Sequence, residues 1–293
     1  MKIAACALWV DIPKRVQPLG FSLADQIGAT AHKRRRNVLA AIEAAKGDGV
    51  DLLVFPLWTW PGSPSEVPRQ IVEQTTRLAI VMGIFGRRRQ RVPLTAAKGH
   101  HSAFEERLYV ISNGRVVAGG TEQLMVDSSS GQLAHAGDLA ALLLQRDGGR
   151  QWNFSRGEQG LLVACGENNV LRGGGPNPRI TVEDRALQRG LSLAFLRGFS
   201  VIANPTHTRQ GPQASRAKKA ELSRGGVCIA VGNAHSSYRY RWKSGGETTV
   251  ETMKASWHTE EFYKLGDRVP SSPASSNPGD LEKDGFLIEV LEA

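Results

Sequence analysis

Predominantly apolar segments of strand length, separated by helix-like segments, constrain the fold more than any other feature of this sequence. Four of them are 2-KIAACALWV-10, 50-VDLLVF-55, 199-FSVIAN-204 and 226-GVCIAVGNA-234. Strands that are apolar on both sides belong to sheets that other layers cover on both faces, whereas half-exposed strands alternate apolar with polar residues. The segments therefore predict an α/β protein built on buried sheets and covered by helices.

Three amphipathic segments are predicted to be the covering helices. Residues 31–47 carry apolar residues at helical spacing and end near 47-GDG-49. A second helix is predicted over about residues 66–82. A third begins at Thr181, whose hydroxyl can cap it, and ends near Gly198. The apolar face predicted for the third helix consists of Leu187, Leu191, Ala194 and Phe195.

Two further patterns concern the middle and the end of the chain. Strand-like segments at 107–112 and 115–120 flank the turn dipeptide 113-NG-114 and predict a β-hairpin. The segment 285-GFLIEV-290 is a final strand candidate. Because no linker divides the chain, we predict a single domain over residues 1–293, with an extended C-terminal segment from about residue 266.

Composition and cysteine usage argue against several classes of protein. The chain is 41% apolar and 22% charged. No apolar run approaches the length of about 18 residues that a membrane-spanning helix needs. Its apolar start is followed by Asp11 and Pro13, so we expect a first strand and not a signal peptide. Cys6, Cys165 and Cys228 lie far apart without metal-ligand spacing, and no HExxH pattern occurs. We therefore expect no disulfide framework, no metal, no cofactor and a reducing cytoplasmic location.

The net charge of +9 comes largely from arginine-rich clusters. Two clusters contain the six arginines that define the candidate basic patches: Arg34, Arg35, Arg36, Arg87, Arg88 and Arg89. The first cluster begins the helix predicted over residues 31–47, and we expect its arginines on the solvated face. Contact with an acidic partner protein or with nucleic acid is the alternative, although no HTH, RRM or KH signature accompanies the clusters.

The order of the segments resembles a known family. DLLVFP at 51–56, a hairpin, LLVACGE at 161–167, VIANPT at 201–206 and VGNA at 231–234 follow one another as in the nitrilase, or carbon–nitrogen hydrolase, superfamily. The resemblance extends from residue 2 to about residue 265. It implies a four-layer α-β-β-α sandwich that forms a homodimer or a larger homo-oligomer, with helices packed against helices at the interface.

The chemistry of that family implies a role for Cys165. In the family a cysteine attacks an amide or nitrile carbon, a glutamate takes the thiol proton, and a lysine stabilises the developing negative charge. Cys165 matches the nucleophile, but Leu57 occupies the glutamate position and Thr121 the approximate lysine position. No lysine occurs between Lys98 and Lys218. The resemblance therefore implies a site that lacks two of its three working groups.

Neighbouring residues offer substitutes and alternatives. Arg115 would have to replace the lysine, for which its rigid guanidinium group is poorly suited. Glu167 is either a relocated acid or a turn-stabilising residue, and Glu158 is a candidate second acid. Free cysteines also commonly pack as small apolar residues, but Gly166 leaves backbone room for a ligand beside Cys165.

Two tryptophans follow the position of the missing glutamate. Trp58 and Trp60 would give a cleft an apolar wall that binds an apolar or aromatic ligand, or they pack as ordinary core residues. Together with Gly166, Asn168 and His207 they are the candidate binding residues.

Two functions from different classes follow. In the first, the chain is a catalytically degenerate nitrilase-like protein that serves as a scaffold, a ligand-binding module or an assembly subunit. The replacements Leu57 and Thr121 favour it, since loss of a general base costs about 10²- to 10⁴-fold in rate. In the second, the chain is an atypical thiol enzyme that cleaves a C–N bond of an amide or nitrile with Cys165 and a relocated acid. A carboxylate and a cation close to Cys165 would favour the second.

Overall fold

The structure, a computed structural model, describes residues 1–19, 22–87, 104–124, 126, 135–154, 157–173, 179–208, 213–244, 247–257, 259–275 and 277–293. The strands in these ranges are β1 (Lys2–Val10), β2 (Leu52–Val54), β3 (Trp60–Pro61), β4 (Ala79–Arg87), β5 (Phe104–Ser112), β6 (Arg115–Glu122), β7 (Gln151–Asn153), β8 (Gln159–Leu162), β9 (Leu171–Arg172), β10 (Thr181–Val182), β11 (Val201–Thr208), β12 (Val227–His235), β13 (Tyr238–Ser244), β14 (Glu247–Met253), β15 (Glu261–Lys264), β16 (Asp267–Val269), β17 (Ser272–Pro273) and β18 (Phe286–Glu292). The α-helices are α1 (Leu23–Ala29), α2 (Ala31–Gly47), α3 (Arg69–Val72), α4 (His135–Leu144), α5 (Asp184–Gln188), α6 (Leu193–Leu196) and α7 (Gln213–Leu222). Two 3-10 helices cover Cys165–Val170 and Ser223–Gly225.

One large sheet organises the chain, in the order β6-β5-β4-β2-β1-β12-β11-β8-β7. The six central strands are parallel to one another, in the order β4, β2, β1, β12, β11 and β8. The outer strands β5, β6 and β7 are antiparallel to their neighbours. The carboxyl ends of the parallel strands therefore lie along one edge, where residues from β2, β8, β11 and β12 can meet.

The two halves of this sheet face each other across a common core. Val81 on β4 and Val110 on β5 share that core with Leu162 on β8, Ala203 on β11 and Ile229 on β12. The two ends of the strand order also approach each other, since β6 and β7 are in contact. The sheet therefore folds over into two layers and nearly closes.

Helices cover the outer face of each half. Val38 and Ile42 of α2 pack with Ile80 of β4 on the outside of the first half. Leu139 of α4 packs with Ile202 of β11 on the outside of the second half. The order of layers is helix, sheet, sheet, helix, which confirms the predicted four-layer α-β-β-α sandwich.

Several local predictions are also confirmed. The helix α2 spans residues 31–47 as its apolar spacing predicts. The predicted hairpin is formed by β5 and β6, and its turn residues Asn113 and Gly114 have φ angles of 52° and 71°. Two consecutive residues at positive φ are what a tight hairpin turn needs, and the Asn-Gly dipeptide adopts them at low cost.

The helix predicted over residues 66–82 is wrong in most of its length. Only Arg69–Val72 is helical, and β4 begins at Ala79. The β-branched pair Ile80 and Val81 is buried between β2 and β5, so strand pairing on both sides decides the conformation there.

The single helix predicted from Thr181 to Gly198 is also wrong. Thr181 lies in β10, and the side chain of Glu183 caps α5 by accepting hydrogen bonds from two backbone N–H groups. Gly190 adopts a φ of 92° and separates α5 from α6. Leu187, predicted on the apolar face, is 55% exposed as a result.

The segment from about residue 266 supplies strands to the large sheet. The last of them, β18, is the predicted final strand and pairs with β1 from Leu8↔Phe286 to Lys2↔Glu292. Its residues Ile288 and Val290 are buried in the outer core beneath α2. Among the described ranges, no helix is both long and apolar enough to cross a membrane.

Candidate active site

Cys165 lies at the carboxyl end of β8, as its sequence context predicts. The strand ends at Leu162, and Cys165 is the first residue of the 3-10 helix that follows. Its side chain is partly exposed, whereas Cys6 and Cys228 are fully buried, and none of the three is in a disulfide. Burial raises the pKa of the Cys228 thiol to about 12. Of the three thiols, Cys165 is the one that solvent reaches.

His207 and Glu106 accompany Cys165. The His207 ring, at the end of β11, is hydrogen-bonded to Cys165 and, through Nε2, to Oε2 of Glu106 at 3.1 Å. The His207 and Glu106 side chains are only 11% and 8% exposed. Burial lowers the pKa of His207, but its hydrogen bonds to Cys165 and Glu106, with the charges of both, outweigh burial and raise the pKa to about 9. The three side chains form a thiol–imidazole–carboxylate chain with a protonated ring at neutral pH.

The carboxylate of Glu106 is fixed by the backbone around it. The backbone N–H of Trp58 donates to Oε1 of Glu106 at 2.5 Å. Gly83 on β4 lies beside the same oxygen, and a Cβ atom there would stand 2.0 Å from it. The absence of a side chain at Gly83 therefore makes the room that this carboxylate occupies.

Trp58 has a strained backbone beside the catalytic candidates. Its φ of 55° lies in the left-handed region, which a bulky residue rarely adopts. The indole lies against the His207 ring, with centroids 4.1 Å apart and planes tilted by 45°. Glu106 binds its N–H, and Arg34 donates to its carbonyl oxygen at 3.1 Å. Strain of this kind costs about 1–3 kcal/mol and concentrates at functional sites.

Arg34 is buried, contrary to the expectation that the arginines of its cluster lie on a solvated face. It is 3% exposed and donates to the carbonyl oxygens of Trp9, Trp58 and Thr59 and to Oδ1 of Asn233. Burial lowers its pKa to about 9, although the negative charge of Glu106 opposes this. Four acceptors around one guanidinium group explain why a charge can be buried here.

Asn233 on β12 connects this support to the histidine. Its Nδ2 donates to the carbonyl oxygens of Leu57 at 2.9 Å and of His207 at 2.7 Å. Arg34, Asn233 and the two carbonyls thus hold the end of β2 against the end of β11. These residues position the strand ends that carry the site.

The other predicted arginines have different surroundings. Arg35 is exposed, donates to the carbonyl oxygen of Pro61 and lies 5.6 Å from the centroid of the Trp60 ring. Arg36 is exposed. Arg87 is exposed and pairs with Asp25 at 2.8 Å. The remaining two, Arg88 and Arg89, lie outside the described residues.

Glu167 is a structural group in this arrangement. It is fully buried and accepts hydrogen bonds from Ala164 N at 2.8 Å, Leu124 N at 2.9 Å and Arg150 Nη2 at 2.9 Å. Burial raises its pKa, although Arg150 and the two N–H donors oppose this. With these partners Glu167 holds the turn that presents Cys165.

The remaining predicted residues are placed as follows. Gly166 and Asn168 are buried in the 3-10 helix. Leu57 is fully buried in the inner core, and Trp60 packs in the outer core under α2, away from the His207 ring that Trp58 covers. Glu158 precedes β8 and so lies at the opposite end of that strand from Cys165.

The two residues considered for the place of the lysine lie at opposite ends of β6. Arg115 is exposed at the hairpin turn, where it is the register partner of Ser112 on β5. Thr121 pairs with Leu108 on β5, near the end that Glu167 contacts through Leu124. Its hydroxyl oxygen is buried and has no hydrogen-bond partner among the described residues.

Glu106 is the site residue that the sequence interpretation missed. Leu108 and Val110 on β5 face the inner core, and Glu106 continues the same alternation. An acidic residue on the buried side of a strand is uncommon unless it is paired or functional. That position in 104-FEERLYV-110 was the signal that could have revealed it.

No protein-family model matches the chain, and no curated protein matches it. Among solved structures, a glutamine-dependent NAD(+) synthetase from Cytophaga hutchinsonii is similar, with 10% identity, a TM-score of 0.48 and coverage of 99% of this chain and 42% of that one. An amidase from Nesterenkonia sp. has 15% identity, a TM-score of 0.41 and coverage of 99% and 90%. A carbon-nitrogen hydrolase from Helicobacter pylori G27 has 10% identity, a TM-score of 0.44 and coverage of 100% and 90%.

These similarities concern the fold. The chain spans less than half of the synthetase. The fold assignment rests on the layers described above, because all three TM-scores are below 0.5.

Proposed function

We propose that this chain is a thiol-dependent enzyme that cleaves or transfers an acyl group at a C–N bond. Cys165 is the nucleophile, His207 carries the proton, and Glu106 holds the histidine charged and oriented. The observation that supports the proposal most is that one buried imidazole is hydrogen-bonded to both the thiol and a carboxylate. The substrate class, an amide or a nitrile, comes from the resemblance in the sequence.

The reaction on an amide has two halves. The Cys165 thiolate attacks the carbonyl carbon, and the C=O electron pair moves to oxygen. When that pair returns, the C–N bond breaks, and the leaving nitrogen takes the proton from the His207 imidazolium. The product of this half is an amine and an acyl thioester on Cys165. In the second half, His207 takes a proton from water, hydroxide attacks the thioester carbon, and the C–S bond breaks to release a carboxylic acid.

Glu106 offers the acid that the sequence lacks at residue 57. Leu57 cannot accept a proton, but the next residue, Trp58, binds Glu106 through its N–H. The carboxylate thus reaches the same turn from β5 that the family's glutamate would reach from β2. It acts on Cys165 through His207, which is a different division of labour from the one that the resemblance implies.

A degenerate scaffold or ligand-binding subunit is the alternative. It is favoured by the full burial of Leu57 and by the uncharged Thr121 at the approximate lysine position. Under this alternative the exposed Arg36 and Arg87 would contact an acidic partner protein or nucleic acid. Under both candidate functions the proposed context is a cytoplasmic homodimer or larger homo-oligomer.

Formation of an acyl-enzyme separates the two candidates. The native chain and Cys165→Ser would be incubated with p-nitrophenyl acetate, and p-nitrophenol release and intact mass would be recorded. We expect an acetyl adduct on the native chain that maps to Cys165, and no adduct at residue 165 in the variant. If the native chain releases p-nitrophenol no faster than Cys165→Ser does, the proposal of a thiol-dependent enzyme is contradicted. The degenerate scaffold is then the candidate that is left.

A further inference from the structure

The loop after β6 places a second polar side chain at the proposed site. In the β5–β6 register, Arg107 pairs with Glu122 and Leu108 with Thr121. Continuing that register by one residue sets Gln123 opposite Glu106. Because successive side chains alternate between the faces of a sheet, Gln123 falls on the inner face together with Glu106.

Glu167 fixes this loop to the turn of the nucleophile. One of its carboxylate oxygens accepts from the backbone N–H of Leu124, and the other accepts from that of Ala164. The residue after Gln123 and the residue before Cys165 are thus bound by one buried carboxylate. The two side chains are thereby brought to the same end of the sandwich.

The amide of Gln123 is desolvated at this position. Its Nε2 is buried and has no hydrogen-bond partner among the residues that the structure describes. An unpaired buried donor has lost its hydration without gaining a protein partner, so the fold holds this group at a cost in stability. Such a donor is suited to an acceptor that appears only during the reaction.

We propose that Gln123 donates a hydrogen bond to the oxyanion that forms when Cys165 attacks its substrate. The inference rests on the function proposed above and adds a catalytic residue to it. A neutral amide donor can do the work of a lysine here, because the donor has to be aimed at the developing charge and need not be charged itself. Thr121, at the approximate lysine position, faces the same side, but its hydroxyl is shorter in reach.

Two cations near the turn each donate to a neighbouring group, although Nε and Nη1 of Arg150 are buried without a hydrogen-bond partner among the described residues. Arg150 is fully buried, and its Nη2 donates to Glu167 at 2.9 Å and to the carbonyl oxygen of Glu122 at 3.0 Å. Lys218 on α7 donates to Oδ1 of Asn169 at 2.7 Å, and burial lowers its pKa. Lys218 is the competing donor that an experiment has to test.

Two reactions of the same thiol distinguish an oxyanion donor from a structural residue. Transfer of an acetyl group from p-nitrophenyl acetate passes through an oxyanion, whereas alkylation of Cys165 by iodoacetamide does not. For Gln123→Met we expect the acetyl-transfer rate to fall about 10²- to 10³-fold while the alkylation rate stays at the native value. Gln188→Met, at an exposed position at the end of α5, is the matched control and should leave both rates unchanged.

Further variants keep the proposal open to contradiction. Gln123→Glu retains the shape and places a negative charge beside the oxyanion, so we expect a loss at least as large. The proposal would be overturned if Gln123→Met and Gln123→Glu transfer the acetyl group at the native rate. It would also be overturned if the rates of acetyl transfer and of alkylation fall by the same factor. A selective loss in Lys218→Met with none in Gln123→Met would overturn it in favour of the lysine. If the native chain itself matches Cys165→Ser, the failure belongs to the proposed function.

Discussion

The charge of His207 is the property of a single residue on which the proposed chemistry depends most. Its pKa of about 9 is maintained by its hydrogen bonds to Cys165 and Glu106, in opposition to burial. In Glu106→Gln the negative charge is lost, but an amide oxygen can still accept from Trp58 N. We expect acyl transfer to fall about 10²- to 10⁴-fold while the chain still folds, as measured by initial rates and by the presence of a cooperative thermal unfolding transition.

The same residue links stability to pH. Because the folded pKa of His207 is above its unfolded value of 6.5, its charge contributes stability that is fully present below about pH 6.5 and is lost as the pH rises through about 9. Urea unfolding of the native chain should therefore show a decline in free energy over this range. In Glu106→Gln the decline should become smaller, and an unchanged decline would show that Glu106 does not stabilise the imidazolium.

At the scale of elements, the contact between β4 and β5 creates the space for the site. A methyl group in Gly83→Ala would meet Oε1 of Glu106, so either the carboxylate or the strand has to move. We expect a destabilisation of about 1–3 kcal/mol together with a loss of acyl transfer. Gly28→Ala in α1 is the control, because nothing lies within 4 Å of the added atom there. If the two variants have the same free energy of unfolding and the same rate of acyl transfer, Gly83 does not make room for Glu106 as described.

The 3-10 helix that presents Cys165 depends on the buried pair of Glu167 and Arg150, both 0% exposed. Glu167→Gln removes the charge that compensates Arg150, and we expect a loss of about 3–5 kcal/mol in the free energy of unfolding. The exposed pair of Arg69 and Glu73 provides the comparison, and Glu73→Gln should cost less than about 1 kcal/mol. A similar small effect for both variants would show that the buried pair does not stabilise the turn.

At the scale of the whole molecule, the sequence resemblance implies a homodimer in which helices pack against helices. We predict that sedimentation velocity will give a mass of twice the chain or more at micromolar concentration. A chain that sediments as a monomer across the accessible concentration range would contradict this prediction.

The large-scale plan was readable from the sequence because its causes are local. Apolar segments such as 226-GVCIAVGNA-234 indicate buried strands wherever they lie, and 113-NG-114 indicates its turn without reference to the rest of the chain. The failures have non-local causes. The strand β4 forms where a helix was predicted because β2 and β5 pair with it, and Arg34 is buried because four acceptors from distant segments surround it.

The site shows the same division. The position of Cys165 followed from a strand and a turn that adjoin it in sequence. Glu106 and His207 are 101 residues apart, and only the folded sheet brings them together. A search of the sequence for the family's glutamate and lysine therefore finds Leu57 and Thr121, while the groups that contact Cys165 and its histidine come from other strands.

The central claim is that Cys165, His207 and Glu106 act as one unit, and the pH dependence of Cys165 alkylation tests it most directly. The rate of reaction with iodoacetamide would be measured from about pH 5 to 10 for the native chain and for His207→Gln, with Cys165→Ser to confirm the site. We predict that the alkylation rate of the native chain will give an apparent pKa for Cys165 well below the ordinary thiol value of about 8.5. In His207→Gln the apparent pKa should return to that ordinary value. Native and variant profiles that coincide at or above that ordinary value would contradict the claim.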